Sequence, residues 1–561
     1  MHRTPRSLLA LALLAPAALA GIWPQPRALT NGSSFLQLAP DFHFNVDIPD
    51  APDDLHVAVD RTAHALQDTL IARLVVGRGA RDEGAVRAAP ALACATLVLE
   101  DGAGPARPIA EEAVRALGER AEGYSLYVPD DGGEAVISAN STLGLLRGLT
   151  TFEQLWYALG AVAYTDMAPV AIEQDAPAYP YRGFMLDTAR NYFPAEDIKR
   201  TLRAMSFVKM SMFHWHIVDS QSFPLVLEEF PELAQTGAYG PDKVYSPDDV
   251  QDIVQYAAQL GIDVLVEIDM PGHTDIVGLA HPEWVACSQA APWAAYAAEP
   301  PAGQLRFTTP AVVDFAAALV GAVARDLPSA YLSTGGDEVN RACYEGDEQF
   351  QRELNASGAT FDGALDAFVQ RVHGTVRGMA KTPVVWEEMV LDQNVALSND
   401  TLVLVWISSE HAAKVAEKNL RIVHGPSDYF YLDCGGGGWV GNNPAGNSWC
   451  DPFKTWQHAY TFDPLANLTD AQAALVMGGQ HLLWTEQTGP ESLDATVWPR
   501  AATSAETFWT ATQPDGSALD VDAALPRLHE VRYRLLARGV GARALQPEWC
   551  ALRPFLCNLE A

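Results

Sequence analysis

From Tyr181 onward, apolar runs of strand length alternate with segments patterned like amphipathic helices. A strand that is apolar along its whole length is buried on both faces, which is typical of a parallel sheet covered by helices. Eight such strand–helix units close into a (β/α)₈ barrel, and this α/β fold is our prediction for the main domain. The eight predicted strands read RGFMLDTA, MSMFHWHIVD, IDVLVEIDM, YLSTGG, TPVVWEEM, DTLVLVWIS, RIVHGP and LVMGGQHLLWTE.

One intervening helix is well marked at both ends. In SPDDVQDIVQYAAQLGI, Ser246 is suited to the N-cap, Pro247 to the first helical position, and Gly261 to the residue that ends the helix. Apolar residues recur at helical spacing between them, so one face of this helix should pack on the barrel.

The residues before the barrel predict a small α+β domain over residues 21–178. EGYSLYVPDDGGEAVISA has the pattern of two strands joined by a glycine-containing turn, and STLGLLRGLTTFEQLWYAL that of a helix. The proline-containing stretch EQDAPAYPYR then indicates a domain boundary. We assign residues 179–561 to the barrel domain, including a helical segment at its C-terminal end.

The N-terminus has the pattern of a secretory signal peptide, residues 1–20. Arg3 and Arg6 precede a short apolar run from Leu8 to Ala20 that ends in Ala-Leu-Ala. The run is too short to span a bilayer and ends in small residues suited to cleavage. We therefore expect a secreted, soluble protein, with a vacuolar or lysosomal destination as the alternative.

The charge of the chain narrows its partners. The formal net charge of −33 repels nucleic acid and anionic membranes, so neither is expected as a partner. The hydrophobic share of 48% with 19% charged residues is that of a globular protein, whose length of 561 residues calls for more than one domain. A neutral substrate and an acidic medium suit this surface best.

The cysteines and the glycosylation sequons are consistent with a secreted protein. Seven cysteines predict disulfides with one thiol left over, and we assign that thiol to Cys94, buried in the strand-like LACATLVLE. No C-x-x-C spacing suggests zinc. N-x-[ST] sequons, which are candidate glycosylation sites in a secreted eukaryotic protein, start at Asn31, Asn140, Asn355, Asn399 and Asn467.

Carboxylates, histidines and aromatic residues follow nearly every predicted barrel strand. Active sites of such barrels lie where the strands end, so these side chains should meet on one face. They are Asp187, His216, Asp219, Glu267, Asp269, His273, Asp337, Glu338, Trp386, Glu387, Trp406, Tyr431, Asp433, Trp484 and Glu486.

Several of these residues have a structural alternative. Asp337 and Glu338, in STGGDEVN, could form a solvated turn, and Trp386 and Trp406 could simply pack the barrel. His216 and His273 could be core histidines or, with Asp219 and Asp269, metal ligands. We expect no metal and no cofactor, because no H-E-x-x-H or clustered histidine spacing occurs and a carboxylic acid can serve hydrolysis. Several tryptophans converging on one face favour a sugar-binding pocket.

The ordered motifs resemble one enzyme family. YRGFMLDTARNYFP, HWHIVDSQSFPL, DMPGHT, STGGDEVN, VVWEEM, YFYLD and LLWTEQ occur in this order between residues 181 and 487. Together they resemble the secreted fungal β-N-acetylhexosaminidases of glycoside hydrolase family 20. GYSLYV and the segment VISANSTLGLLRGLTTFEQL resemble the N-terminal domain of that family, so the similarity covers nearly the whole mature chain.

The resemblance implies a role for each matching residue. Glu338 is the implied general acid and base, Asp337 orients the 2-acetamido group, and Tyr431 hydrogen-bonds its oxygen. The implied substrate-binding residues are Arg182, Asp219, His273, Trp386, Trp406, Asp433, Trp484 and Glu486. Among them, Arg182 and Glu486 bind sugar hydroxyls, and Asp219 and His273 relay hydrogen bonds towards the acid. The resemblance also implies a homodimer and the disulfides Cys287–Cys343, Cys434–Cys450 and Cys550–Cys557.

The adjacency of Asp337 and Glu338 fits one mechanism in particular. Most retaining glycosidases need two carboxyls about 5 Å apart across the scissile bond, and substrate-assisted enzymes are an exception. Neighbouring strand residues point to opposite sides, so Asp337 and Glu338 are poorly placed as that facing pair. A 2-acetamido sugar can supply the nucleophile itself, through its carbonyl oxygen.

The predicted function is an exo-acting β-N-acetylhexosaminidase that releases terminal GlcNAc or GalNAc from chitin oligomers or glycans. A related enzyme releasing a disaccharide would need a pocket open at the 4-hydroxyl, which Arg182 and Glu486 argue against. A secreted sugar-binding protein with an inactive barrel would have no use for a general acid. Activity on β-GlcNAc, β-GalNAc and disaccharide substrates separates the three.

Overall fold

The computed structural model describes residues 21–393 and 395–559. The predicted signal peptide, residues 1–20, lies outside this range. Within it, no helix combines the length and the apolar character needed to cross a membrane.

The N-terminal part is built on a six-stranded mixed sheet of order β1-β2-β4-β3-β6-β5, in which β1 also pairs with β6. The hairpin predicted from EGYSLYVPDDGGEAVISA is present as the antiparallel pair β3–β4. The strands are β1 (Leu29–Asp47), β2 (Ala91–Leu99), β3 (Tyr124–Val128), β4 (Ala135–Ala139), β5 (Tyr157–Leu159) and β6 (Val162–Asp175).

Helices accompany this sheet: α1 (Asp53–Asp68), α2 (Glu83–Ala88), α3 (Ile109–Ala113) and α4 (Thr142–Gln154), with a 3₁₀ helix at Ala80–Asp82. The predicted helix is α4, which begins after Ser141, whose side chain accepts a hydrogen bond from the Gly144 N–H. Every residue of α4 is buried, because the helix lies between the sheet and the barrel.

The second part is the predicted barrel. Eight parallel strands close in the order β7-β8-β9-β12-β13-β14-β15-β16, and β16 pairs with β7. Each coincides with a predicted run, so the (β/α)₈ fold is confirmed. The strands are β7 (Tyr181–Asp187), β8 (Met212–His216), β9 (Asp263–Glu267), β12 (Tyr331–Ser333), β13 (Thr382–Trp386), β14 (Leu402–Val405), β15 (Arg421–His424) and β16 (Val476–Leu483), with a small pair β10 (Val285–Ala286) and β11 (Gln304–Leu305) inserted after β9.

Helix α7 has the predicted ends: Ser246 and Asp249 form a capping box, and Gly261 has a left-handed φ of 74°. The helices of this part are α5 (Ala195–Phe207), α6 (Pro231–Gly237), α7 (Pro247–Gln259), α8 (Pro310–Arg325), α9 (Arg341–Glu345), α10 (Glu348–Ser357), α11 (Phe361–Gly378), α12 (Glu388–Leu391), α13 (His411–Glu417), α14 (Trp456–Tyr460), α15 (Asp470–Ala473), α16 (Leu493–Val497), α17 (Ala502–Thr510), α18 (Val521–Ala537) and α19 (Glu548–Ala551), with 3₁₀ helices at Asp275–Leu279, Pro282–Trp284 and Trp293–Ala295.

The N-terminal sheet and α4 pack against the end of the barrel where the strands begin. The Arg147 guanidinium of α4 donates to the Gly261 carbonyl at 2.7 Å, just before β9. Arg120 pairs with Asp263, the first residue of β9, at 2.8 Å. The opposite end, where the strands finish, therefore remains free for a site.

The three implied disulfides are present, joining Cys287 to Cys343, Cys434 to Cys450 and Cys550 to Cys557. Cys94 is free as predicted, but the prediction that it is buried is wrong. It lies on β2 with its side chain partly exposed beside Glu134, because that face of the strand is not covered. All five sequon asparagines are exposed.

Candidate active site

A pocket of about 570 Å³ opens at the end of the barrel where the strands finish. Its lining contains most of the residues singled out in the sequence: His273, Asp337, Glu338, Trp386, Trp406, Tyr431, Asp433, Trp484 and Glu486. Trp386 is the last residue of β13, and the others come from the segments after β9, β12, β14, β15 and β16, which the closed barrel brings together.

The turn after β12 requires its glycines. Gly335 and Gly336 have φ of 60° and 100°, a region that favours glycine. A Cβ at Gly335 would lie 2.0 Å from Asp269 Oδ1, and one at Gly336 would lie 2.7 Å from the Met389 side chain. Glu338 also has a positive φ, 53°. The turn is therefore held in an uncommon conformation that presents Asp337 and Glu338 to the same pocket.

Asp337 is the buried member of the pair. It is only 6% exposed, and its Oδ1 has no hydrogen-bond partner among the described residues. Burial raises the pKa of Asp337, and the neighbouring Glu338 adds to the increase. Burial and Asp337 also raise the pKa of Asp269 well above its usual range. An unpartnered buried carboxylate oxygen at a pocket wall is suited to accept an N–H from a ligand.

Glu338 is more exposed and belongs to a chain of hydrogen-bonding groups. Its Oε2 lies 3.2 Å from His273 Nε2, and 30% of its side-chain surface is exposed. The other ring nitrogen of His273 lies 3.1 Å from Asp219 Oδ1. Although burial acts in the opposite direction, Asp219 and Asp337 raise the pKa of His273 well above its usual range. A charged His273 can thus donate to the carboxylate of Glu338.

Further buried side chains inside the barrel hold Asp219 in place, and Asp219 in turn holds His273 beside Glu338. Asp219 Oδ2 lies 2.7 Å from His216 Nε2, and Glu267 contacts both His214 and His216. Although burial opposes the effect, hydrogen bonds to Asp219 and Glu267 raise the pKa of His216 to about 10. The Trp386 indole also donates to Glu267 at 3.2 Å.

Aromatic side chains form the walls. Trp386 is 1% exposed, and its ring centre lies 6.1 Å from that of Trp484. The rings of Trp406 and Tyr431 are nearly parallel, 19° apart in plane. Burial raises the pKa of Tyr431 well above 10, so its hydroxyl keeps its proton and can donate. Trp449 stands over both rings at the pocket mouth, 64% exposed.

The far end of the pocket is charged. The Arg190 guanidinium lies 3.0 Å from Asp219 Oδ2, pairs with Glu299, and sits over the Trp484 ring. Burial raises the pKa of Asp433 to about 7 and that of Glu486 well above its usual range. A cation beside carboxyls and hydroxyl-binding acceptors is suited to several sugar hydroxyls at once.

The predicted role of Arg182 at this end is wrong. Arg182 is fully buried where β7 begins, at the opposite end of the barrel from the pocket, and does not line the pocket. Its guanidinium pairs with Glu122 at 2.5 Å and donates to the carbonyls of Lys209 and Tyr179. A residue at the start of a barrel strand cannot reach the end of the barrel where the strands finish.

Sequence reasoning missed Arg190, Glu299 and Trp449, all of which line the pocket. Arg190 lies in the motif YRGFMLDTARNYFP, three residues after β7 ends. Because active-site residues of such barrels follow the ends of the strands, its position could have identified it. Glu299 and Trp449 lie on long loops, and no local pattern marks them.

Four groups of residues at or beside the site have ligand atoms within 4.8 Å of one another, as a metal would need: Asp219 with His273 and Glu299, Asp269 with His273 and Asp337, His216 with Glu267 and Asp269, and Asp433 with Cys434 and Cys450. Each group contains a residue that is already engaged. Cys434 and Cys450 form a disulfide, and the two ring nitrogens of His216 contact Asp219 and Glu267. Arg190 pairs with Asp219 and Glu299, and His273 uses one nitrogen for Asp219 and the other for Glu338. This donor set fits proton relay better than metal binding.

Comparison with known proteins gives the same assignment. The family model for the glycosyl hydrolase family 20 catalytic domain matches residues 179–512, and that for a beta-acetyl hexosaminidase-like domain matches residues 22–155. A beta-hexosaminidase of Arthroderma benhamiae is 35% identical over 461 residues, 78% of this chain and 74% of that protein. A chitooligosaccharidolytic beta-N-acetylglucosaminidase of Bombyx mori is 34% identical, with the same coverage.

Solved structures share the fold. The family 20 beta-N-acetylhexosaminidase of Streptomyces coelicolor superimposes with a TM-score of 0.71 at 24% identity, over 95% of this chain and 99% of that one. The Vibrio harveyi exo beta-N-acetylglucosaminidase in complex with N-acetylglucosamine gives 0.74 at 21% identity, over 94% of this chain and 80% of that one. With the family model matching more than half of its residues, the chain belongs to glycosyl hydrolase family 20.

Proposed function

We propose that this glycoside hydrolase removes single terminal β-linked GlcNAc or GalNAc residues from the non-reducing ends of chitooligosaccharides or glycans. The observation that carries the proposal is the division between two adjacent carboxyls. Asp337 is buried with a free acceptor oxygen at the pocket wall, while Glu338 is 30% exposed and bonded to His273. One can hold the substrate's acetamido group while the other exchanges a proton.

The first step uses the substrate's own carbonyl oxygen as the nucleophile. Asp337 accepts the acetamido N–H, and the Tyr431 hydroxyl donates to the acetamido oxygen, which attacks the anomeric carbon. Glu338 gives its proton to the leaving oxygen as the glycosidic bond breaks. The product of this step is a bicyclic oxazolinium ion whose positive charge lies beside Asp337. Holding the nucleophile in place provides an effective concentration of about 10⁵ to 10⁸ M.

The second step reverses the roles. Glu338, now ionised, takes a proton from water, and the water oxygen attacks the anomeric carbon and opens the oxazolinium ring. Two inversions give overall retention of configuration. His273, held by Asp219, supports the ionised state of Glu338 between the two proton transfers.

The charged far end of the pocket supports exo action on one sugar. Arg190, Glu299 and Glu486 stand there with Asp433, where the 3-, 4- and 6-hydroxyls of a terminal residue would bind. A disaccharide-releasing enzyme would need this end open. A sugar-binding protein without activity would not need the Asp219–His273–Glu338 relay.

A panel of fluorogenic substrates tests the proposal. We expect hydrolysis of β-GlcNAc and β-GalNAc, and none of a disaccharide glycoside blocked at its 4-hydroxyl. Release of a disaccharide would support the related specificity, and binding of GlcNAc without turnover would support the inactive barrel.

We also propose that the protein is secreted, or delivered to a vacuole or lysosome, as an N-glycosylated enzyme. The signal-like residues 1–20, the exposed sequon asparagines and the three disulfides support this. A homodimer remains a prediction from the family resemblance. Light scattering of the protein recovered from the culture medium distinguishes a monomer from a dimer. The loss of mass after treatment with a glycosidase measures its N-glycosylation.

A further inference from the structure

Two consecutive buried glutamates follow β13 and hold one wall of the pocket. Glu387 Oε2 accepts the backbone N–H of Trp406 at 3.0 Å, and Glu388 Oε2 accepts its indole N–H at 2.8 Å. Trp406 lies just after the neighbouring strand β14. Both ends of this residue are therefore held by adjacent carboxyls.

The two glutamates differ in their other contacts. Glu387 has a second partner, His411, whose Nδ1 lies 2.6 Å from its Oε1. Glu388 is 5% exposed, and among residues 21–393 and 395–559 no cation forms an ion pair with it. The titratable groups that face it are Asp337, Glu387 and Tyr431. Burial and the charge of Asp337 raise the pKa of Glu388 to about 9.

The indole N–H is the one hydrogen-bonding atom on the Trp406 ring. The bond to Glu388 therefore decides how this ring is rotated against the nearly parallel ring of Tyr431. Tyr431, Trp406 and Asp337 all line the same pocket. A small rotation of the indole would change the space in which the acetamido group must be held for attack.

We propose that Glu388 is a positioning residue for the reaction: as an uncharged carboxyl it holds the Trp406 indole and leaves Asp337 as the anion facing the substrate's acetamido group. Glu388 is not among the residues that line the pocket, so its effect on the substrate is transmitted by Trp406. The inference rests on the proposed function.

Three substitutions test the role at pH 5. Glu388→Leu removes the acceptor and leaves the partly buried indole N–H of Trp406 unpaired, so kcat/KM for β-GlcNAc should fall roughly 10- to 100-fold, mostly in kcat. Glu388→Gln retains an acceptor oxygen without a charge and should restore most of that loss. Glu417→Leu, on the exposed face of α13, is the matched control and should leave both constants unchanged.

A double-substitution cycle covers the case in which Glu388→Leu misfolds. Trp406→Phe removes the donor, so adding Glu388→Leu to it should cost little more, and the two effects should be strongly non-additive. Independent, additive losses would mean that Glu388 does not act through the indole and would overturn the proposal.

The pH profile supplies a readout that simple loss of stability would not change. Both enzymes lose activity in the same way when Glu338 loses its proton. This effect therefore drops out of the ratio of kcat/KM for Glu388→Gln to kcat/KM for the unsubstituted enzyme. The ratio should be constant in acid and rise as pH passes about 9, where Glu388 ionises in the unsubstituted enzyme alone. A ratio that is flat up to pH 10, or a Gln variant as impaired as the Leu variant, would refute the uncharged positioning role.

Failure of this inference is distinguishable from failure of the proposed function. If the enzyme hydrolyses β-GlcNAc and Glu388→Leu has no effect on its rate, the positioning role of Glu388 is refuted while the proposed function stands. An enzyme that hydrolyses no β-GlcNAc or β-GalNAc substrate contradicts the proposed function first.

Discussion

Asp337 and Glu338 are neighbours in the chain, yet the turn that carries them gives each a different environment. Glu338 is partly open and contacts His273, whereas Asp337 lies deep in the wall beside Asp269. The positive φ of Glu338 and of the two preceding glycines makes this possible, because an ordinary strand would point the two side chains apart. The chemistry at this site therefore depends on backbone conformation as much as on residue type.

The proton-donating role proposed for Glu338 predicts a dependence on the leaving group. Glu338→Gln should lose roughly 10²- to 10⁴-fold in kcat on a natural disaccharide, the usual contribution of a positioned acid. An aryl glycoside with a good leaving group needs less protonation, so its glycosylation step should lose less. Single-turnover rates on both substrates measure this, and equal losses would exclude Glu338 as the proton donor.

The pH profile should be bell-shaped with its maximum in mild acid. Asp337 must be ionised to stabilise the oxazolinium nitrogen, and burial raises its pKa, so activity should be lost as pH falls through a value above 3.8. Glu338 must be protonated, so activity should also be lost as pH rises. We would measure kcat from pH 3 to 9; a plateau reaching pH 9 would contradict the assignment of the acid.

At the scale of elements, each barrel strand has two ends with separate tasks. The start of β7 carries Arg182, which binds the barrel to Glu122 of the N-terminal part, and the segment after its end carries Arg190, which lines the pocket. The start of β7 thus contributes an arginine to stability, and the segment after it contributes one to the pocket lining.

This separation predicts opposite effects of two like substitutions. Arg182→Met leaves the buried Glu122 with one partner fewer and should lower the free energy of unfolding by about 3–5 kcal/mol without changing KM. Arg190→Met should raise KM and lower kcat, because the hydroxyl-binding end of the pocket loses its cation. Thermal melts and steady-state kinetics on both variants test this; a raised KM for Arg182→Met in folded enzyme would restore the original prediction for that residue.

The loop closed by Cys434–Cys450 carries Trp439, Val440 and Trp449 to the pocket mouth. Removing this disulfide by Cys434→Ser with Cys450→Ser should cost about 3 kcal/mol of stability and raise KM as well. Removing Cys550–Cys557 in the same way is the control, since neither of its cysteines lines the pocket and only stability should fall. An unchanged KM in the first variant would show that the loop does not shape the site.

At the scale of the whole molecule, the sequence was sufficient for the barrel. Eight apolar runs identified eight strands, because burial on both faces leaves a continuous hydrophobic pattern, and the strand-end rule located the pocket. Sequence reasoning placed Arg182 in the pocket incorrectly, although a residue at the start of a barrel strand lies at the opposite end of the barrel from the active site. Glu299 and Trp449 could not be predicted, because long loops bring them to the pocket through tertiary contacts. The exposure of Cys94 depends on which face of β2 is uncovered, and local alternation does not decide that.

The central claim is that the substrate, and not an enzyme carboxylate, supplies the nucleophile. The most direct test is a series of aryl β-glycosides whose N-acetyl group carries zero, one, two or three fluorine atoms. Fluorine withdraws electrons from the carbonyl oxygen, so we expect kcat to fall steeply along the series, by orders of magnitude in total. A kcat that is independent of fluorination, together with a glycosyl group found covalently attached to a carboxylate of the quenched enzyme, would contradict the account.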